Sequence, residues 1–396
     1  SPDNRNYYDH VHTLYMVLLR DGGPDSALQR IRDEVVQYRE NEILHSGLYR
    51  GQYSAGVNTT TTSPMQAATI RRLFVQGLLE DYYLTGDPRS LEVAKEMGEA
   101  LLADSSLQMT RFTATERTAG YMLMGLCALY EAVVDTRYLE AAKQVAKVVM
   151  DHQDAMAVKY PSQGGIPGQT GGFIQDVNGR WEDPDESTVS GAGSPFMTTL
   201  LAEGLIRLYW LTGDARVYTS LLRVADWLAD AGFAAAGDSR NPDRLDSFWY
   251  IAVDSGMRAV TPSLNPMFLQ LLGFAHQATG DPKYLNIAQR ILAVNDWGNH
   301  IKEFNQGMRS SGQGLSLLQA APKTAVLTLT GTPPPAPTPT PPPAPAPGPS
   351  APSPTGRTPK LFWTPQRQAV WNRMVSENHP WWQALKRTAD ASGTSS

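Results

Sequence analysis

An all-α fold, built of helical hairpins packed side by side into a ring, is predicted by three observations. The first is a repeated phrase. GLLEDYYLTGDPRSLEVAKEMGEALL starts at Gly77, GLIRLYWLTGDARVYTSLLRVADWL at Gly204 and LLGFAHQATGDPKYLNIAQRIL at Leu271. A worn copy, GLCALYEAVVDTRYLEAAKQVAKVV, starts at Gly125. Each reads as an apolar helix, a tight turn and an amphipathic helix, a unit that cannot bury its apolar face alone and must stack on its neighbours. The second observation is that connections are short within a pair and long between pairs, over about 44–65, 155–194 and 231–262. Each long loop joins the second helix of one pair to the first helix of the next, so all belong on one face. The third is composition. The first helices carry glycine (Gly77, Gly125, Gly204, Gly273) and are apolar on most sides, as an inner ring would be, whereas the second helices show one apolar stripe among charges, as an outer ring would.

The elements follow in order. YYDHVHTLYMVLLRDGGPDSALQRIRDEVVQYRENEIL has the same helix, glycine turn and helix, with Asp25 near the cap, and makes a first hairpin. In the repeats, Gly86, Gly213 and Gly280 suit the left-handed position that ends a helix. Asp87, Asp214 and Asp281 then cap the next helix, with Pro88 and Pro282 at its first position. The worn copy keeps Asp135 and has lost the glycine. That makes five hairpins, and a helical stretch around 299–319 supplies most of a sixth. From about Thr330 the composition changes. Fourteen of the chain's 29 prolines lie between Pro333 and Pro359, in an extended polyproline-type spacer whose Thr and Ser could carry O-glycans. Four of the nine tryptophans fall in the last segment, at Trp363, Trp371, Trp381 and Trp382, which reads as helical again. The expected divisions are a ring domain over 1–322, a linker over 323–360 and a tail over 361–396. The tail either docks, on this ring or on another copy of the chain, or begins a further domain.

Composition narrows the function. A net charge of -5 with no basic block argues against a nucleic-acid partner. No segment reaches the ~20 apolar residues of a membrane span. Cys127, alone of its type, sits in an apolar helical run and reads as a small buried hydrophobe. The chain starts Ser1-Pro2 without an apolar leader, so any signal peptide is expected to be already removed, or the chain cut from a longer one.

The repeat resembles the (α/α) toroid of carbohydrate-active proteins. Thr115-Glu116-Arg117-Thr118-Ala119-Gly120-Tyr121, with GLCALYEAVVDTRYLEAA after it, is similar to a hairpin of polysaccharide lyases and glycoside hydrolases of this fold. The LTGD hairpins resemble the C-terminal toroid of exo-rhamnogalacturonan-lyase-like proteins, over roughly 4–321. The tail from Trp363 resembles the lead-in to a further helical domain in long bacterial surface proteins. The resemblance implies an (α/α) toroid of five to six hairpins and a carbohydrate-active protein that binds or cleaves an acidic polysaccharide outside the cytoplasm. Extracellular, bacterial cell-surface and periplasmic locations all fit. A structural or adhesive surface protein, whose linker and tail (residues 331–396) dock onto a neighbouring copy to build a filament or layer, is the competing expectation.

Four groups of residues are candidates for chemistry on the long-loop face. Tyr8, Asp9 and His12 share one side of the first helix and could serve acid–base work, although a hydrogen-bonded aromatic helix start is the plainer reading. Glu116 and Arg117 open the third inner helix. Arg117 could hold a sugar carboxylate through a bidentate pair, with Arg71 entering the second inner helix similarly, while Glu116 is either catalytic or ordinary N-terminal charge. In GGIPGQTGGFIQDVNGRWEDPDES a small hairpin is expected over 173–181, with Trp181 offering a sugar-stacking surface beside an acidic run that is equally a solvated loop. In AGDSRNPDRLDSFWYIAVDSG, Asp246, Trp249 and Tyr250 either line the cleft or bury the loop against the ring. His10 and His12 are not spaced as a helical metal pair and the acidic run lacks calcium-loop spacing, so neither metal nor cofactor is expected. A glycosidase needs two facing carboxylates roughly 5–9.5 Å apart. A lyase needs a base such as tyrosine or histidine and a group that neutralises the uronate.

Overall fold

The computed structural model describes residues 6–54, 73–103, 116–175, 191–241, 243–252, 258–294 and 301–320. The proline-rich linker and the tryptophan-rich tail lie outside the described residues, as do Arg71 and Trp181.

The helices pair as the repeat requires. The first of each pair are α1 (His10–Asp21), α3 (Gln76–Thr85), α5 (Glu116–Val133), α7 (Pro195–Thr212) and α9 (Leu269–Thr279), and α11 (Ile301–Gln319) stands alone among the described residues as a sixth. The second are α2 (Asp25–Gln37), α4 (Pro88–Leu102), α6 (Thr136–Lys159), α8 (Ala215–Trp227) and α10 (Pro282–Ala293). α1, α3, α5, α7, α9 and α11 pack in that order around a ring, and α11 closes it on α1. At the closure the Asn305 side chain donates to the Tyr7 carbonyl at 2.8 Å and faces His10 Nδ1 at 2.8 Å. The inner helices are buried almost all round, as in α5, where every residue from Glu116 to Leu129 is buried. The outer helices bury one stripe, such as Val217, Ser220, Leu221, Val224 and Ala225 of α8, at the three-and-four spacing of an amphipathic helix. Glycine sets how closely inner helices approach. A Cβ on Gly120 would lie 2.3 Å from the Leu200 carbonyl oxygen of α7, and one on Gly314 would lie 2.4 Å from the backbone of Leu269.

The turns follow the expected chemistry. Gly86, Gly213 and Gly280 have φ of 75°, 67° and 73°, each with its N–H bonded back into the helix it ends. Asp87, Asp214 and Asp281 accept from the N–H two residues on, at 3.0, 2.7 and 2.8 Å. In the worn hairpin Val134 takes the glycine's place at φ 56°, a left-handed conformation that costs a β-branched residue about 1–2 kcal/mol, and Asp135 still caps α6. At α2 the cap position belongs to Pro24, and Asp25 is the first helical residue. Cys127 is fully buried, and burial pushes its thiol pKa up, as expected of a packing residue.

The loop after α8 holds a small sheet that the helical pattern did not signal. β1 (Phe233–Ala234), β2 (Ser247–Ile251) and β3 (Arg258–Val260) run antiparallel, with Phe233 opposite Phe248 and Trp249 opposite Val260. The aromatic and β-branched run SFWYI fits a pleated, half-buried surface. This loop meets the α6–α7 loop through paired Gly193 and Ala252, so the two share a face. In the α6–α7 loop Gln175 pairs with Gly191 and Ala192, and the rest of the hairpin expected over 173–181 falls outside the described residues. Among the described residues no helix is long and apolar enough to cross a membrane.

Candidate functional site

The chain enters α1 through two consecutive left-handed residues, Tyr8 at φ 61° and Asp9 at φ 60°, neither of them glycine. Such residues cost about 1–2 kcal/mol each and persist only where their surroundings hold them. Here the Asp9 carboxylate accepts from the N–H of His12 at 3.2 Å and of Gly77 at 3.4 Å, while the Asn6 side chain accepts from the Val11 N–H at 2.9 Å. Asp9 is therefore the cap of α1 and its clasp to α3, with both oxygens occupied by backbone. The strained entry sets the Tyr7 and Tyr8 rings side by side, centroids 4.2 Å apart, over the first turn of α5. Arg117 Nη1 donates to the Tyr7 hydroxyl at 3.4 Å. Tyr8 meets the Tyr121 ring edge-on at 6.2 Å, and Phe74 meets it at 4.9 Å. Tyr8 is 1% exposed, and burial raises its pKa, so its hydroxyl stays protonated and can donate rather than act as a base. Tyr7 is only half-buried.

One turn deeper, His12 uses both ring nitrogens inside the protein. Nδ1 faces Glu80 Oε1 at 2.7 Å and Nε2 faces the Arg309 carbonyl at 3.3 Å. Burial alone would lower the His12 pKa, but the Glu80 carboxylate overrides burial and the pKa is raised. Burial raises the Glu80 pKa as well, so His12 and Glu80 form a buried pair that titrates together. Arg309, from α11, crosses the ring interior. Its guanidinium donates to Glu203 Oε1 at 3.3 and 3.1 Å and to Gln76 Oε1 at 3.4 Å, and lies 5.5 Å over the face of Tyr121.

Arg117 differs from these ions in facing no carboxylate among the described residues. It is 9% exposed, forms no ion pair among the described residues, and its Nε makes no hydrogen bond. Glu116 is fully buried beside it in the first turn of α5. Tyr8, Asp9, His12, Glu116 and Arg117 thus come together at the starts of α1 and α5. The second loop group does not join them as a unit. Asp246 is tied to Arg290 of α10 at 2.6 Å and accepts from the Ala236 N–H at 2.8 Å. Burial pushes its carboxyl up, but those partners outweigh burial and hold it below the usual range. Trp249 is 1% exposed, with Arg240 6.0 Å over its ring. Tyr250, on the opposite side of β2, stacks on Phe196 at the first turn of α7 at 5.0 Å and is the member of that group that reaches the inner-helix starts.

Tyr7 as a contact of Arg117, Glu80, Tyr121, Glu203 and Arg309 escaped the sequence reading. A faint signal exists, since Glu203 and Arg309 are charges on the apolar stripes of buried helices. Two cavities, of about 340 and 570 Å³, lie on the outer ring, between α6 and α8 and beside α4 respectively, away from the inner-helix starts. Among the described residues no cluster of three or more His, Cys, Asp or Glu could hold a metal ion.

No family model and no curated protein matches the chain. Solved structures do. A cellobiose 2-epimerase from Spirochaeta thermophila superposes with a TM-score of 0.53 at 13% identity, over 78% of this chain and 84% of that one. A glycosyl hydrolase of family 88 from Bacteroides vulgatus gives 0.52 at 11% identity, over 79% and 93%. A sugar epimerase from a ruminal bacterium gives 0.51 at 11%, over 78% and 87%. The fold is an (α/α) toroid. At these identities the likeness concerns architecture alone, and the chemistry of this toroid has to be read from its own residues.

Proposed function

We propose that this toroid is a carbohydrate-active protein that takes an acidic sugar on the face bearing the inner-helix starts, and that Arg117 pairs with the sugar's carboxylate. Arg117 itself carries the reading. A guanidinium nine-tenths buried with no carboxylate partner among the described residues has given up its hydration, and an anionic ligand is what would offset that cost. The N-terminus of α5 favours an anion at the same place. Tyr7 lies half-buried against Arg117, and the Tyr8 hydroxyl, kept protonated by burial, can donate a hydrogen bond there. His12 positions rather than reacts, since both of its nitrogens are engaged. The toroids with matching architecture include two sugar epimerases and a glycosyl hydrolase, which supports a glycan ligand. A lyase-like or hydrolase-like reaction at an acidic polysaccharide outside the cytoplasm is the finer form of the proposal.

The test is calorimetric titration with an oligogalacturonate and with a neutral oligosaccharide of the same length. Arg117→Ala should weaken binding of the acidic ligand by about 10–100-fold, the value of a hydrogen bond to a charged group, and change the neutral one little. Equal losses for both ligands, or no binding of either by the unaltered protein, would remove the reading.

A further inference from the structure

Inner helices run in the same direction where their partners rise together: Asp9 meets Gly77 and His12 meets Glu80, His10 meets Asn305 and His12 meets Arg309, and Gly120 packs on Leu200 as Leu123 packs on Gly204. Residues four apart on an inner helix therefore mark successive levels along the toroid axis. Arg117 and Tyr121 are four apart on α5, so Tyr121 lies one level beneath the proposed sugar site.

Tyr121 is 3% exposed and its hydroxyl makes no hydrogen bond among the described residues. Buried phenols ordinarily find a partner. This one cannot swing to seek one, because Tyr8 and Phe74 hold its ring edge-on and the Arg309 guanidinium covers a face. The Arg309 side chain is 1% exposed. Its Nε and Nη2 are engaged with Glu203, and Nη2 also faces Gln76 and Met124, but Nη1 has no acceptor. Arg117 Nε likewise has none. Among the described residues three buried donors without acceptors are thus linked through one aromatic cluster: Arg117 against Tyr7 beside Tyr8, Tyr8 edge-on to Tyr121, and Arg309 over Tyr121. The group that answers several donors and brings none of its own is a carboxylate or similar oxyanion, with about four acceptor sites.

We infer that Arg117 Nε, the Tyr121 hydroxyl and Arg309 Nη1 form one slot for an oxyanion, reaching below Arg117 down the toroid axis, and that its natural occupant is the carboxylate of an acidic sugar. The inference rests on the reading of Arg117 as the anion-holding residue and adds the two deeper donors. The slot makes Tyr121 a specificity residue. A neutral sugar has no group that occupies all three donors, whereas a uronate enters carboxylate first.

Tyr121→Phe tests the slot, since it keeps the ring and removes only the hydroxyl. The probes are D-glucuronate, D-glucose and inorganic sulfate, titrated calorimetrically into the full chain, alongside thermal melts without ligand. The expected result is a loss of about tenfold or more in glucuronate affinity, no change for glucose, and an unliganded melting temperature that is unchanged or higher, because an unpaired buried hydroxyl has been removed. Sulfate bound as tightly as glucuronate, with the same sensitivity to the substitution, would support the slot and make its occupant a free oxyanion. Unchanged glucuronate affinity in Tyr121→Phe would overturn the slot, even with Arg117→Ala still defective, in which case Arg117 acts alone. A lowered melting temperature in step with lowered affinity would also overturn it, by making the hydroxyl structural. Failure of the unaltered protein to bind either anion at millimolar concentration would overturn the slot and the reading of Arg117 together.

Discussion

Gly213→Ala isolates the backbone term on which the repeated turn depends. Gly213 ends α7 at φ 67°, and a Cβ built on it meets nothing within 4 Å, so alanine there neither clashes nor packs. What remains is conformational. The left-handed region costs an L-residue about 1–2 kcal/mol, and the stiffer unfolded chain of the alanine variant returns about 0.4–1 kcal/mol. The net expectation is a destabilisation of about 1 kcal/mol, or about 2 °C in melting temperature for a domain of this size. Gly312 provides the opposite sign. It is exposed in the middle of α11, its added Cβ also meets nothing within 4 Å, and its backbone is helical. Gly312→Ala should stabilise by about 1 kcal/mol through helix propensity alone. Urea and thermal melts of the two variants beside the unaltered chain decide it. Shifts of the same sign, or a neutral Gly213→Ala, would refute the claim that local backbone conformation explains the Thr-Gly-Asp turn.

Two other outcomes are expected. His12 has a folded pKa above its unfolded value near 6.5, with Glu80, Asp9 and Arg309 as the charges facing it, so the stability it contributes is complete below about 6.5 and drains as pH rises through the folded value. Unfolding free energies from urea melts between pH 5.5 and 8.5 should fall, by at most about 1.4 kcal/mol per pH unit for one proton, and His12→Gln should flatten the profile; an equal slope in both proteins sinks this assignment. We also propose that the tryptophan-rich tail docks on another copy through the proline-rich spacer, so removing the residues after Thr330 should turn an assembly into monomers, whereas identical sedimentation of both forms would favour a further domain beginning there.

How much was legible in the sequence depended on whether the signal was local. The toroid was, because Thr-Gly-Asp recurs at Gly86, Gly213 and Gly280 and each copy carries the same turn and cap. Even the lost glycine left a trace, since Val134 occupies the left-handed position without it. The small sheet after α8 was not, because a three-residue or two-residue strand has no period to detect, and only SFWYI hinted at one. Trp249 and Tyr250 show the same limit. Adjacent aromatics could not be told apart until β2 turned one under Arg240 and the other onto Phe196.

The proposed site was illegible for a reason rooted in ring closure. Its upper level comes from α1 and α5, whose starts carry Tyr7, Tyr8 and Arg117, residues that a helix-start reading can at least nominate. Its lower level depends on Arg309, which lies 297 positions from His12 and reaches it only because the sixth inner helix returns to the first. In a linear stack the same arginine would face solvent or an outer helix and mean nothing. Closing the ring places it against Glu203, Gln76, Met124 and Tyr121, from three different inner helices, and gives the toroid axis a buried cation. Breaking a buried ion pair costs about 3–5 kcal/mol, so Arg309 and Glu203 are constrained by stability whether or not they touch a ligand. Tyr121 is not constrained in that way. Its hydroxyl has no hydrogen-bond partner among the described residues, so Tyr121→Phe tests the proposed ligand site at less cost to the fold than a change at either buried charge.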